Sequence, residues 1–348
     1  MYKSCNILLH GLCFYCDDIV SCCYAPNDKI DGGIPPLLFH NYKGEIIPKD
    51  VLFKKIREYS DQFLNGGCPK ECENCFQIKE ADWDEGEFIN YITITHFSAC
   101  NADCIYCSNN LAPEERTNNI YEIMPFLKYL KSEGVIKEDC EIHIGGGELT
   151  IYKECDELLE EFGMNGQTKI FIPTNAIKYS ENLHKALKSG SAHIIVSLDS
   201  GSKELYKKIK RADAFDKVVE NLKKYSQELT CPKISLKYII LPGINDSLKE
   251  FKKFLQIAKS INAYTIIDID ARYLRSVNNI INPIYLNLAK KMKKEAEKMG
   301  LFTELYSFLK QAMNQDYNQK PTFADIKDYI EMKYFKKCIK KLYTQHRY

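Results

Sequence analysis

The chain has 348 residues, 45% of them hydrophobic and 27% charged. That is the balance of a soluble globular protein with apolar matter for a full core. Its 48 basic residues meet 47 acidic ones for a net charge of +1, which argues against a protein that coats nucleic acid. The anomaly is fifteen cysteines, eleven of them within the first 107 residues. The opening MYKSCNILLHGLCFYCDD has no apolar run long enough for a signal peptide or a membrane span, so the chain reads as cytoplasmic, where thiols stay reduced. An odd count also fits poorly with a closed disulfide framework. Clustered cysteines in a reduced compartment point to metal.

In chain order, residues 1–85 are loop-rich, with turn signals at Asp31-Gly32-Gly33, Pro35-Pro36 and Gly66-Gly67. An alternating stretch over 12–20 predicts a hairpin, and the pattern over 49–64 predicts a helix. From residue 90 the texture changes. Strands are predicted over 91–97, 141–144, 169–173, 193–198, 234–241 and 265–269. Helices are predicted between them over 121–132, 153–162, 180–189, 202–229 and 248–261. This alternation is the signature of a parallel sheet with right-handed crossovers. It predicts an α/β fold, a partial (β/α)6 TIM-like barrel, with functional loops at the C-terminal ends of its strands. Residues 283–348 read as amphipathic helices, with surplus lysine over 321–348 forming a solvated face. The expected organisation is a small cysteine-rich module over 1–85, the barrel over 86–280 and a helical extension over 281–348.

Directly after the first barrel strand stands Cys100-Asn-Ala-Asp-Cys104-Ile-Tyr-Cys107. Three thiolates within eight residues can wrap one face of a small cluster. Four-ligand iron–sulfur sites are usually saturated by four cysteines. A three-cysteine loop therefore suggests a cluster with one iron open to an exogenous ligand. C-x3-C-x2-C with an aromatic, Tyr106, before its last cysteine resembles the radical S-adenosylmethionine (SAM) enzymes.

That resemblance implies a [4Fe–4S] cluster on Cys100, Cys104 and Cys107, with SAM chelating the fourth iron. Downstream strand ends carry it further. Gly145-Gly146-Gly147-Glu148 is similar to the family's GGE motif, which implies contact of Gly146, Gly147 and Glu148 with the methionyl amine. Thr174-Asn175 is similar to the polar pair facing the ribose. Ser197 and, downstream, Lys210-Arg211 are similar to the serine and basic residue that contact ribose and carboxylate, with Arg211 taken as the basic member. The segment from Lys237 to Asn245 is like the one that flanks adenine. The sixth strand ends in Asp268-Ile269-Asp270, and Asp268 and Asp270 are the candidate bases. Asp199, at the end of the fourth strand, belongs with them, and a structural cap or loop carboxylate is the favoured reading for each of the three. His96 and His143 lie within strands and read as packed residues.

The first eight cysteines repeat the C-x3-C-x2-C spacing at Cys68, Cys72 and Cys75. No strand leads into that copy, and Asn74 rather than an aromatic precedes its last cysteine. The order Cys5, hairpin, Cys22-Cys23, then Cys68, Cys72 and Cys75 resembles the SPASM and twitch auxiliary-cluster modules of radical SAM enzymes. This implies a second [4Fe–4S] cluster on Cys5, Cys23, Cys72 and Cys75, with Cys22 and Cys68 as substitutes. In the relatives that module usually follows the barrel, whereas here it precedes it. Zinc is the competing occupant, since C-x2-C pairs serve it equally well. Cys13 and Cys16 read as thiols without a ligand role, or as members of a further site.

The resemblance implies one-electron reduction by a flavodoxin or ferredoxin. SAM is cleaved to a 5′-deoxyadenosyl radical, and a hydrogen atom is taken from a small-molecule substrate such as a sugar, in a redox, epimerisation or dehydration step. A peptide- or protein-modifying radical enzyme is the second reading, and a noncatalytic iron–sulfur or zinc protein the third. Membrane and nucleic-acid partners are not expected.

Overall fold

The computed structural model describes residues 2–22, 36–73, 75, 77–84, 86–107, 111, 113–117, 120–276, 281–306 and 309. Cys23, the Asp31-Gly32-Gly33 turn and the lysine-rich stretch over 321–348 lie outside the described residues. The elements in chain order are β1 (Tyr2–Ser4), α1 (Asn6–His10), β2 (Gly11–Tyr15), β3 (Asp18–Val20), β4 (Leu37–Phe39), α2 (Lys49–Leu64), β5 (Lys79–Ala81), β6 (Ile89–Ile94), α3 (Met124–Ser132), β7 (Ile136–Ile144), α4 (Cys155–Phe162), β8 (Lys169–Thr174), α5 (Glu181–Ser189), β9 (Ala192–Ser197), α6 (Lys203–Lys210), α7 (Phe215–Tyr225), β10 (Ile234–Ile240), α8 (Leu248–Ser260), β11 (Tyr264–Ile269), α9 (Ala271–Ser276), α10 (Pro283–Lys298) and β12 (Thr303–Leu305). They fall into two compact units.

The first unit spans Met1–Ala99, Arg116–Ile172 and Glu181–Ala192. Its strands run in the order β8-β7-β6-β2-β3-β4, while β1 pairs with β5 in a separate two-stranded ladder. β6 is buried at five of its six positions, as a strand covered on both faces must be. It pairs in parallel with β7 and, on its other edge, with β2, where Phe14 is level with Ile94. The predicted hairpin forms, with β2 antiparallel to β3. Its first strand extends the parallel sheet rather than standing apart. The aromatic core joins Phe14, Tyr42, Tyr121 and Phe126, with Tyr121 stacked on the buried His96 (centroids 4.7 Å). Tyr152 Oη bridges His96 Nε2 (3.1 Å) and the Glu154 carboxylate, and Glu154 accepts from Ile123 N and Met124 N at the start of α3. Burial drives the His96 pKa down to about 4, so this ring is a neutral core member. His143 packs between Tyr91 and Phe171. Both histidines are thus packed as the sequence suggested.

The second unit spans Cys100–Glu115, Pro173–Ser180 and His193–Tyr348. Its strands β9, β10, β11 and β12 lie side by side, all parallel. Alternation sorts β10 by face. Tyr238 turns to the helices, edge-on against Phe251 (5.0 Å) and Phe254 (5.1 Å) of α8, while Ile239 turns to Ile105 and Tyr106. α8 starts at Ser247, whose Oγ accepts from Glu250 N (3.2 Å).

The α/β class and the alternation of parallel strands with helices are those predicted. Two elements differ. The predicted helix over 202–229 breaks into α6 and α7, because Arg211 adopts a left-handed φ of 52° and ends α6. The C-terminal stretch read as all-helical also contributes β12, which pairs with β11. No helix among the described residues is long and apolar enough to cross a membrane.

Candidate active site

In the second unit the loop 100–107 carries half-buried Cys100, Cys104 and Cys107. The end of α6 holds it. Asp103 N donates to Lys210 O (3.0 Å) and Ile105 N to Ile209 O (2.9 Å). The Arg211 guanidinium pairs with the Asp103 carboxylate at 2.9 Å, and Arg272 Nη1 donates to Ile105 O. Tyr106 points inward. Its hydroxyl donates to Asp199 Oδ2 (2.5 Å), accepts from Lys210 Nζ, and lies in hydrogen-bond contact with Ser197.

Lys210 and Asp199 form an ion pair at 2.5 Å with side chains only 2% and 0% exposed. Asp199 Oδ1 accepts from Ile239 N (2.7 Å). Burial works against the Lys210 ammonium, and Asp199 with the Cys104 and Cys100 thiols outweighs it, so Lys210 is held charged. Burial likewise pushes the Cys104 thiol up, and Lys210 pulls it back down more strongly than Asp199 raises it. Burial first, then Asp199, keeps Tyr106 protonated and a donor. Sequence reasoning took Arg211 as the basic residue of the SAM site; in the structure Arg211 pairs with Asp103 of the triad loop, and its neighbour Lys210 turns inward to Asp199 and Tyr106. The signal was present: Tyr206 and Lys210 stand four apart on the buried face of α6, next to Ile209.

Asn175 follows β8. Its Nδ2 donates to Cys100 Sγ (3.6 Å) and Asn101 Oδ1 (2.6 Å), and its Oδ1 accepts from Ile177 N (2.9 Å). The structure therefore brings Asn175 to the triad loop, and Ser197 and Lys210 to Tyr106 of that loop. The two candidate bases are each engaged by a cation. Asp268 pairs with Lys237 at 2.7 Å, and Asp270 with Arg272 at 3.1 Å.

In the first unit the glycine turn follows β7. It continues the parallel ladder past the end of β6: Gly145 N donates to Ile94 O, Gly147 N to Phe97 O and Glu148 N to Ala99 O (2.8–2.9 Å). A Cβ on Gly146 would lie 2.2 Å from Phe97 O, and one on Gly147 2.2 Å from Ala99 O, so a side chain at either position would force this backbone apart. Gly146 also sits at φ +80°, which glycine adopts freely. Glu148 is 2% exposed. Its Oε1 accepts from Thr150 N (3.1 Å) and Thr150 Oγ1 (2.7 Å).

The first unit also gathers thiols. Cys5 caps α1, its Sγ accepting from Leu8 N at 3.3 Å. Cys72 ends a 3-10 turn, and Cys75 N donates to Cys72 O (3.1 Å). Cys5 and Cys72 pack with Leu8 and Phe63, flanked by Tyr2, Ile7, Tyr59 and Ile78. Cys72 lies within electrostatic reach of Cys5, Cys68, Cys22 and Cys75, and Cys5 within reach of Cys75. Burial pushes the thiols of Cys5, Cys68 and Cys72 up, and neighbouring negative charge adds to it. Of the expected set Cys5, Cys72 and Cys75 are together, Cys23 lies outside the described residues, and both substitutes, Cys22 and Cys68, lie near Cys72.

Among the described residues no three His, Cys, Asp or Glu side chains stand close enough to hold a single metal ion. The fit to a cluster is one of donor chemistry. Each thiol group would bring thiolates whose mutual repulsion a cationic iron–sulfur core relieves.

Residues 94–255 match the family model of the radical SAM superfamily. The chain carries a radical SAM domain. That domain contains the triad loop, the glycine turn and the Lys210–Asp199 pair, and the cofactors of its family are a [4Fe–4S] cluster and SAM. The chain is 29% identical over 179 residues to the GTP 3′,8-cyclase of Clostridium botulinum (strain Hall), covering 50% of this chain and 54% of that relative. It is 27% identical over 192 residues to molybdenum cofactor biosynthesis protein moc-5 of Caenorhabditis elegans, covering 53% and 29%. The chain thus spans about half the length of the GTP 3′,8-cyclases it matches. In fold it is similar to Streptococcus suis SuiB bound to precursor peptide SuiA, with a TM-score of 0.51 at 14% identity over 81% of this chain and 68% of that one.

Proposed function

We propose that the protein is a radical SAM enzyme that reductively cleaves SAM and takes a hydrogen atom from a small-molecule substrate. The observation that carries this reading is the triad loop of the radical SAM domain, pinned by α6 and backed by a buried ammonium. In it Cys100, Cys104 and Cys107 hold a [4Fe–4S] cluster. When bound, the cluster supplies the electron that splits SAM into methionine and a 5′-deoxyadenosyl radical. Gly146 and Gly147 shape the turn that presents Glu148 to the methionyl amine. Tyr106, Asn175, Ser197 and Arg211 border the SAM site. Asp268 or Asp270 takes a substrate proton, released from Lys237 or Arg272 when substrate binds.

Residues 1–85 act as an auxiliary module, in which Cys5, Cys72 and Cys75, with Cys23, Cys22 or Cys68 as the fourth, hold a second [4Fe–4S] cluster. Residues 86–280 are the catalytic barrel and 281–348 a C-terminal extension. A flavodoxin or ferredoxin gives the electron. A sugar or sugar nucleotide undergoing a redox, epimerisation or dehydration step is one substrate class. A purine nucleotide is the other, favoured by the 29% identity to a GTP 3′,8-cyclase across the matched half.

The test is anaerobic reconstitution with iron and sulfide, then dithionite and SAM. Formation of 5′-deoxyadenosine is expected. An intact cluster that yields none would overturn the reading. Deuterium transfer from labelled sugars or nucleotides into 5′-deoxyadenosine then separates the substrate classes.

A further inference from the structure

We propose that Asp270 and Arg272 form a positioning clamp on the triad loop. Asp270 then serves the seat of the cluster rather than the substrate, which leaves Asp268 as the base at this end of β11. The proposal rests on the reading that Cys100, Cys104 and Cys107 hold a [4Fe–4S] cluster that cleaves SAM.

Ile105 stands between Cys104 and the inward-turned Tyr106. Its N–H donates to Ile209 O (2.9 Å) at the end of α6, and its carbonyl accepts from Arg272 Nη1. Its side chain packs against Ile209, Ile239 and Leu241. The peptide planes before and after Ile105 are thus each held, one by α6 and the other by Arg272. A planar peptide leaves only φ and ψ soft, so the directions in which Cys104 and Tyr106 leave the backbone are set with them.

The guanidinium is itself fixed from the sheet. Asp270 follows β11 directly, and its N–H donates to Ile240 O (3.1 Å), carrying the β10–β11 ladder one step further. Its Oδ1 accepts from Arg272 N (3.0 Å) and Nε (3.3 Å), and its Oδ2 from Nη2 (3.1 Å). Capping α9 takes only the first of these bonds, which any residue but proline at 272 would supply. The other two hold the planar fork so that Nη1 is aimed at Ile105 O. Arginine can serve a carboxylate and a carbonyl at once from one rigid plane, whereas lysine brings a point charge on a flexible stem. The side chains are 4% and 15% exposed, so little water competes for these bonds.

Asp268 is held differently. It meets Lys237 Nζ at 2.7 Å, and that ammonium also lies over the Tyr306 ring at 4.7 Å. To accept a proton Asp270 must give up a bidentate fork, and the triad loop loses its support. Asp268 must part from a flexible ammonium. Partners one shell out from a metal centre typically carry 10–100-fold in metal affinity or activity.

The experiment uses the full chain, reconstituted anaerobically and given dithionite and SAM with no other substrate. Three readouts are taken: the rate of 5′-deoxyadenosine formation, the electron paramagnetic resonance line shape of the reduced cluster that responds to SAM, and the decay of that signal when a chelator is added. Arg272→Lys keeps the charge and loses the fork. It is expected to cleave SAM roughly 10-fold more slowly, with an altered line shape and faster decay. Asp270→Asn sets an amide donor against the fork and is expected to shift all three readouts in the same direction. An Arg272→Lys variant equal to the parent in all three overturns the proposal. An Asp270→Asn variant equal to the parent beside an impaired Arg272→Lys overturns it too, and returns Asp270 to the candidate bases, because a substrate base has no part in cleavage without substrate. Should Asp270→Asn fail to fold, Asp270→Glu, which keeps the charge and moves it by one methylene, replaces it under the same criteria. A parent that forms no 5′-deoxyadenosine from an intact cluster refutes the radical SAM reading itself, and this proposal falls with it.

Discussion

Two groups of cysteines in this chain share the spacing C-x3-C-x2-C, and their surroundings differ in kind. The loop at Cys100, Cys104 and Cys107 is tied down by backbone bonds from α6, by Arg211 on Asp103 and by Arg272 on Ile105 O. The buried Lys210–Asp199 pair meets it at the Tyr106 hydroxyl. The group at Cys5, Cys22, Cys68, Cys72 and Cys75 sits partly among apolar side chains, and neighbouring thiols raise Cys5, Cys68 and Cys72, with Lys3 lowering Cys68. Identical spacing therefore says little about what a thiol group is ready to do. The first group sits on a loop tied down at several points, and the second is a gathering of thiols that raise one another.

The contrast is tested most severely by removing one thiol from each group. Cys104→Ala is expected to reduce 5′-deoxyadenosine formation to background, because no other side chain in that loop replaces the ligand. Cys72→Ala is expected to lose about half the iron of a two-cluster protein while 5′-deoxyadenosine still forms, uncoupled from product. Iron analysis and chromatography of the nucleoside check both. Equal loss of cleavage in the two variants would merge the groups into one functional site.

The next effect is on the fold. Asp199→Ala leaves the Lys210 ammonium buried and uncompensated, and breaking a buried pair in this way costs about 3–5 kcal/mol. Denaturant unfolding measures it. A loss of only a few tenths would mean that water reaches Lys210.

Much of this was legible in the sequence, for reasons that can be named. The 3.6- and 2-residue periodicities located the strands and helices that flank the triad, because each buries one face or both. α2 is an instance, recovered from Lys49 to Leu64. The cysteine spacing and the glycine turn were visible because chemistry and close backbone approach restrict residue type. What the sequence hid were choices made by tertiary contacts. Lys210 and Arg211 are adjacent basic residues, and only the left-handed turn at Arg211 decides which of them goes inward. The helix over 202–229 broke for the same reason. The glycines of the turn were read as allowing close backbone approach, and the approach the structure displays is to the backbone of Phe97 and Ala99. α1, five residues long and capped by a cysteine, is too short to show a period.

A pH-dependent difference sharpens the comparison further. In the first unit His96 is held neutral, with burial lowering its pKa from 6.5 to about 4. The unfolded chain takes up a proton there first, so the stability tied to this ring is complete above pH 6.5 and drains away as the pH falls towards 4. It amounts to roughly 3 kcal/mol at most. Amide exchange followed from pH 7 to 4.5 should show β6 and β2 losing protection before β10 and β11, and His96→Phe should remove much of that difference. Loss of protection in step across the two units would show that His96 does not govern the first.

The smallest effect concerns a thiol that belongs to neither group. Cys16 lies exposed in the turn between β2 and β3 at φ +49°. Burial, then Asp17 and Asp18, keeps its thiol above the ordinary range, the opposite of what a ready thiolate ligand needs. Cys16→Ser keeps size and backbone, and is expected to change stability by less than about 0.5 kcal/mol and iron content not at all. A measurable loss of iron would enlist the hairpin turn among the ligands. The second group would then draw on the strand pair that borders β6, and the separation of the two cysteine groups would have to be redrawn from that edge.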